Sequence, residues 1–129
     1  VFVGGGIERE RLAAAAAGMP NVRFLERQPA SAMPPLLAMA DVQLVHLRDD
    51  PLFRITIPSK TQAALRAGRP ILLGVAGDAA DMVRAAGAGV VVPPENPDAL
   101  ADAVARLAAL PRAEREAIGR AGRRDYDAH

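Results

Sequence analysis

Residues 59–92 read SKTQAALRAGRPILLGVAGDAADMVRAAGAGVVV, and this stretch decides the fold class. Two alanine-rich segments of helical length, 59–67 and 78–86, alternate with two short apolar runs, 71–75 and 89–92. Gly68 and Gly87 fall where a helix needs a left-handed residue to end it, and Pro70 blocks continuation of the first helix. Helix, apolar strand, helix, apolar strand is the order produced by a parallel sheet with crossover helices.

The same alternation extends in both directions. Apolar runs at 1–3, 22–25 and 42–47 predict three further strands, and the segments 8–17, 31–39 and 97–110 predict further helices. Gly18 terminates the first helix, and Asn96-Pro97 supplies a cap followed by proline in the first turn of the last of these. After Pro111 the charged segment 112–129, with Gly119 and Gly122 inside it, is expected as a surface helix, frayed or packed on something outside the chain. There is no internal repeat and no linker. The fold class is therefore α/β: a Rossmann-like parallel sheet of five recognisable strands with helices on both faces.

Composition narrows the function. The chain has 129 residues, half of them apolar, with 3% aromatics, no cysteine, no tryptophan and 16 basic against 15 acidic side chains. A net charge of +1 offers no polyelectrolyte attraction, and so few aromatics leave no stacking platform, so nucleic acid is not expected as a partner. Without cysteine there is no disulfide framework, thiolate metal site or cysteine nucleophile, which is compatible with a cytoplasmic protein. No apolar run approaches the roughly 20 residues that span a bilayer. The chain opens at Val1 without methionine and stops in a charged helical stretch, and reads as a piece of a longer protein.

In an open parallel sheet ligands bind beyond the carboxyl ends of the strands, so the loops after each run are the places to search. Gly4-Gly5-Gly6 follows the first strand and precedes a helix, an arrangement that lets amides approach a phosphate or sugar, or that simply makes a tight turn. Arg9 stands where a dinucleotide fingerprint would have its third glycine. The loop from Phe53 through Arg54, Thr56, Pro58, Ser59, Lys60, Thr61 and Gln62 enters the next helix, and its free amides, hydroxyls and cations suit an anion. Ser59 and Gln62 also have capping-box spacing. Lys60 favours the anion reading, being the only lysine in a chain whose other 15 basic residues are arginine. Gly77-Asp78 reads as a helix start with Asp78 as its cap. His46, at a strand end, reads as scaffold, Asp49-Asp50 as turn residues, and Asp125-Tyr126-Asp127 as an accidental match to a metal motif. No metal cluster and no Ser-His-Asp arrangement emerges.

The order of these motifs resembles a known family. Gly4-Gly5-Gly6, Val22-Arg23-Phe24-Leu25, Ala40-Asp41-Val42, Ile57-Pro58-Ser59-Lys60, Ala67-Gly68-Arg69-Pro70-Ile71-Leu72 and Gly89 through Leu100 are similar to the C-terminal donor-binding domain of the family-4, two-Rossmann (GT-B type) glycosyltransferases. The resemblance runs from Val1 to about Leu110, and the string Leu52 to Ala63 is most like the O-antigen and capsule branch that includes N-acetyl-L-fucosamine transferase-like members. It implies a partial nucleotide-sugar-binding domain over 1–129, hexosyl or N-acetylhexosaminyl in type and inactive alone. A nucleoside-diphosphate sugar, expected as a UDP-sugar, would lie along the carboxyl edge of the sheet. Gly5, Gly6, Arg9, Arg54, Thr56, Ser59, Lys60 and Thr61 would serve the diphosphate and sugar, and Phe24, Leu25 and Gln62 the base and ribose. No cofactor or metal is expected, since helix amides and cations can stabilise the leaving diphosphate. The acceptor, a glycan or lipid-linked glycan for cell-surface polysaccharide, would be bound by an N-terminal domain, with the work done in the cytoplasm at the inner face of a bacterial membrane.

Two departures accompany the resemblance. The family's glutamates, eight residues apart, align with Ile55 and Ala63, so the usual carboxylate to the ribose is replaced at best by Gln62. The central strand that opens the family's domain lies before Val1, which predicts that the strands at 1–3 and 42–47 are not neighbours and that the isolated chain is poorly stable. The competing readings are a nucleotide-sugar epimerase of the same architecture and a non-enzymatic doubly wound nucleotide-binding or signalling module.

Overall fold

In the computed structural model, which describes residues 1–129, the elements follow in the order β1 (Phe2–Val3), α1 (Arg9–Ala15), β2 (Phe24–Leu25), a 3-10 turn (Ala30–Ala32), α2 (Met33–Met39), β3 (Gln43–His46), α3 (Pro51–Arg54), α4 (Ser59–Ala67), β4 (Ile71–Gly74), α5 (Asp78–Ala85), β5 (Gly89–Val91), α6 (Pro97–Ala109) and α7 (Arg112–Ala128). They group into two units, Val1–Met33 and Pro34–His129. The strands form two parallel sheets, β1-β2 and β3-β4-β5, so β1 and β3 are not hydrogen-bonded to each other. This is the arrangement expected from the strand order.

In the first unit Phe2 lies opposite Phe24 and Val3 opposite Leu25, and the two phenyl rings stack with centroids 5.0 Å apart. From α1, Arg9 reaches back: its Nε donates to the Gly4 carbonyl at 3.0 Å and its guanidinium pairs with Glu26, just past β2, at 2.7 Å. No residue of 1–33 is buried. A two-stranded pair of this size is marginal by itself, and here one aromatic stack and one arginine clamp hold it.

The second unit has the core. β4 is its middle strand, and all four of its residues are buried. Ile71 and Leu73, with Val45 and Val75, pack against Ala64 and Leu65 of α4 and Ala79, Ala80 and Val83 of α5. Leu72, with Val92, packs against Ala103 and Leu107 of α6 on the opposite face. Burial on both faces is why this strand reads as an unbroken apolar run rather than an alternation. Alanines on the facing helices let their backbones approach the sheet closely.

Local chemistry sets the boundaries, with several differences from the sequence reading. The strand expected at 22–25 keeps only Phe24–Leu25, and α1 stops at Ala15. The helix expected at 31–39 opens as a 3-10 turn before α2, whose first turn accommodates Pro34 and Pro35 because amides there have no helical acceptor. Helix α3 was not foreseen; Asp50 caps it, accepting from the Leu52 amide at 2.9 Å, with Pro51 in its first position. Ser59 does not cap α4, which follows Pro58 with no side-chain cap, so the capping-box reading is replaced by an open helix start. Nor does Asp78 cap α5: the cap is Gly77, at φ 82 and ψ −145, and Asp78 is the first helical residue. Asn96 does cap α6, accepting from the Ala99 amide at 2.9 Å.

The largest correction concerns the charged tail, which forms a 17-residue helix whose buried residues are its two glycines. A Cβ on Gly119 would stand 2.1 Å from the Gly68 carbonyl oxygen, and one on Gly122 would stand 2.8 Å from the Ala88 methyl. Helix α7 is thus packed backbone to backbone on the end of α4. It also closes α6: Arg115 donates from one guanidinium nitrogen to the carbonyls of Leu107, Ala108 and Leu110 at the helix end, where only Leu107 already accepts a backbone amide, that of Leu110. Replacing glycine by alanine within an exposed helix stabilises by about 1 kcal/mol. At Gly119 the sign is expected to reverse, with overpacking costing about 1–3 kcal/mol; Gly119→Ala should lower the melting temperature by several degrees, as measured by thermal circular dichroism.

Candidate functional site

Parallel pairing sends β3, β4 and β5 to one edge, where three loops follow them: 47–57, 75–77 and 92–96. A chain of polar contacts joins these loops. The Glu95 amide donates to His46 Nε2 at 3.2 Å, and the Glu95 carboxylate accepts from the Asp49 amide at 2.9 Å. Asp49 in turn receives Arg54 through two parallel bonds, at 2.9 and 2.8 Å. Gly77 lies flat against the Arg54 backbone, where a Cβ would stand 1.9 Å from the Arg54 carbonyl oxygen, so only glycine fits. Glu95 itself is the one non-glycine residue at positive φ, 55. Strain of that kind survives only where the surroundings over-determine it, and here both its amide and its carboxylate are committed.

The residues singled out at the α4 start take different positions. Ser59, Lys60 and Gln62 are exposed. Lys60 takes part in no ion pair or hydrogen bond and no side chain caps the helix; the Thr61 amide donates to the Pro58 carbonyl at 2.9 Å, which leaves the Ser59 and Lys60 amides and the ammonium to meet an anion. Thr61 faces inward: it is fully buried, with its hydroxyl unpartnered. Thr56 donates its hydroxyl to the Leu52 carbonyl at 3.1 Å. Arg54 is held by Asp49 rather than lying free.

In the first unit Gly5 and Gly6 are exposed, and a Cβ would meet nothing at either. Of these three loop glycines, conformation requires glycine only at Gly4, φ 127. Arg9 is engaged with Gly4 and Glu26 as described, Phe24 is stacked on Phe2, and Leu25 is exposed at the strand end. No group of three or more histidine, aspartate and glutamate side chains converges as a cation site, Asp125 and Asp127 included.

Sequence reasoning treated His46 as scaffold and Asp49 as a turn residue, and gave Glu95 no role. Spacing could not connect them, since His46 and Glu95 are 49 residues apart. The one available signal was the rigid frame around Glu95, with Pro93 and Pro94 before it and Asn96-Pro97 after it.

Strands ending together beneath three interlocked loops, beside an open helix start with a free cation, make a Rossmann-like α/β protein. Residues 1–109 match the family described as glycosyl transferases group 1, and the chain belongs to that family. Among solved structures it is similar to sucrose-phosphate synthase from Thermosynechococcus elongatus, with a TM-score of 0.78 and 23% identity over 94% of this chain. It spans 29% of the length of that chain. No curated protein matches it.

The bidentate bonds from Arg54 hold the Asp49 carboxyl below its ordinary value of 3.8, and Asp49 correspondingly raises the Arg54 guanidinium. A carboxylate whose value is depressed on folding stabilises the fold at every pH above the unfolded value, and that contribution disappears as pH falls through the folded one. Asp49→Asn is therefore expected to lower the melting temperature at pH 7, and the gap to the parent should close on acidification below 3.8, as followed by calorimetry across pH.

Proposed function

We propose that this chain is the donor-binding half of a glycosyltransferase that moves a sugar from a nucleoside-diphosphate sugar to an acceptor held by another domain. The observation that carries this reading is the open start of α4, with no side-chain cap and with Lys60 unpaired beside it, in a chain of the group 1 glycosyl transferase family. Helix amides carry partial positive charge and point outward, and a compact ammonium adds a full one. As the bond from sugar to diphosphate breaks, negative charge grows on the leaving oxygens. Donors fixed in advance stabilise it without reorganising, in a site that needs no metal. Residues 55–67 contain Lys60 and Arg66 and no carboxylate, so nothing at this helix start opposes an anion.

In this reading the Ser59 hydroxyl, the Lys60 ammonium and the Ser59 and Lys60 amides hold the diphosphate. Gln62, one turn into the same helix, would serve the ribose. The donor is a UDP-sugar, and the acceptor is a lipid-linked glycan of cell-surface polysaccharide synthesis, met at the cytoplasmic face of the membrane. No helix of the chain is long and apolar enough to cross a membrane.

Titration of the natural full-length polypeptide with UDP, GDP and ADP is expected to show selective binding of UDP. Lys60→Ala should weaken it about 10- to 100-fold, the worth of one bond from a charged donor, with the melting temperature unchanged because Lys60 supports no other group. Indifference to all three nucleotides overturns the reading in favour of a module without a donor site.

A further inference from the structure

A second feature of the same sheet edge bears on the sugar rather than the diphosphate. His46 is the last residue of β3 and is exposed, and its imidazole lies over Gly74, the last residue of β4 and its register partner. A Cβ on Gly74 would stand 2.6 Å from His46 Cδ2, so the ring occupies space that any other residue there would take. Its Nε2 accepts the Glu95 amide at 3.2 Å. A ring nitrogen that accepts a backbone N–H carries no proton, which puts the proton of the neutral ring on Nδ1. That Nδ1–H makes no hydrogen bond within the chain.

We infer that His46 is a sugar-contact residue, held by Gly74 and Glu95 so that its Nδ1–H donates to a hydroxyl or ring oxygen of the transferred sugar. This rests on the proposed donor-binding function and adds the group that reads the sugar. Charge decides between sugar and diphosphate. The loops and helix starts beyond β4 and β5 carry Asp78, Asp81, Glu95 and Asp98 and no cation, whereas the loop after β3 sets Arg48 and Arg54 against Asp49 and Asp50 and leads to Lys60. The part of the edge beyond β4 and β5 therefore disfavours phosphate. A neutral imidazole donor beside the Glu95 carboxylate, one of whose oxygens accepts nothing, instead suits an uncharged ligand rich in hydroxyls, each able to give and receive a bond. The diphosphate then goes to the α4 start, where carboxylates are absent, and the sugar to the ends of β3 and β5.

The test compares UDP with UDP-N-acetylglucosamine on the natural full-length polypeptide by titration calorimetry. Gln at position 46 keeps an acceptor near the Nε2 position but has no donor where Nδ1 stood. In His46→Gln the affinity for UDP should stay within about twofold, while affinity for the sugar conjugate relative to UDP should fall about 5- to 10-fold, as expected for the loss of one hydrogen bond. Gly74→Ala leaves the imidazole present but displaces it, and should lower the same ratio. Nitrogen shifts of His46 should report the Nδ1-protonated neutral ring. An unchanged ratio in His46→Gln, with parental UDP binding and melting temperature, overturns the inference and leaves the donor site standing. Failure of the parent protein to bind any nucleoside diphosphate is a different result and overturns the reading beneath it.

Discussion

Burial of β4 on both faces is the constraint from which the rest of the larger unit follows. Ile71 and Leu73 go to one side and Leu72 to the other, so helices must cover both sides, and each must come close enough to exclude water from short strands. Removing apolar surface from water is the main favourable contribution to such a fold, at about 25 cal/mol per Å². Alanine-rich helices meet the requirement because they hold little side-chain volume between backbone and sheet. Helix α7 carries the same economy further by using glycine against the end of α4.

Once β4 is fixed between β3 and β5, the three loops beyond them emerge side by side, and their polar groups must find partners or remain in water. They find each other. Glu95, bent into a left-handed conformation, gives its amide to His46 and takes the Asp49 amide, while Asp49 holds Arg54 and Gly77 admits the Arg54 backbone. The result is an edge whose polar groups are tied to one another, the kind of framing that a site discriminating among similar ligands needs. The adjacent start of α4 is left uncapped and cationic. Two chemically different surfaces, one acidic and rich in hydrogen-bonding groups and one favourable to anions, thus come from one strand-and-helix arrangement.

The smaller unit, Val1–Met33, obeys a different balance. It has no buried residue, and its order rests on a stacked phenyl pair and on Arg9 bridging the glycine loop to Glu26. Gly5 and Gly6 were legible as a loop between strand and helix, but only Gly4 shows a backbone that demands glycine. The sequence signal there reported loop position faithfully and overstated conformational need, because openness around a glycine leaves no mark in composition.

Much was legible from residue order because periodicity and punctuation are local. An apolar run at 71–75 ended by glycines and proline marks a strand whatever surrounds it, and the alternation of such runs with alanine-rich segments fixes a parallel α/β protein. Asn96 before Pro97 announces a helix start in the same way. Tertiary structure alone decided which helix starts would be capped, leaving Ser59 and Asp78 without that duty, and turned the glycines of the charged tail into a packing face. It also decided that His46, Asp49 and Glu95 meet. Residues 49 apart are brought together by sheet pairing, and no local pattern encodes which neighbour a side chain will find after the strands align.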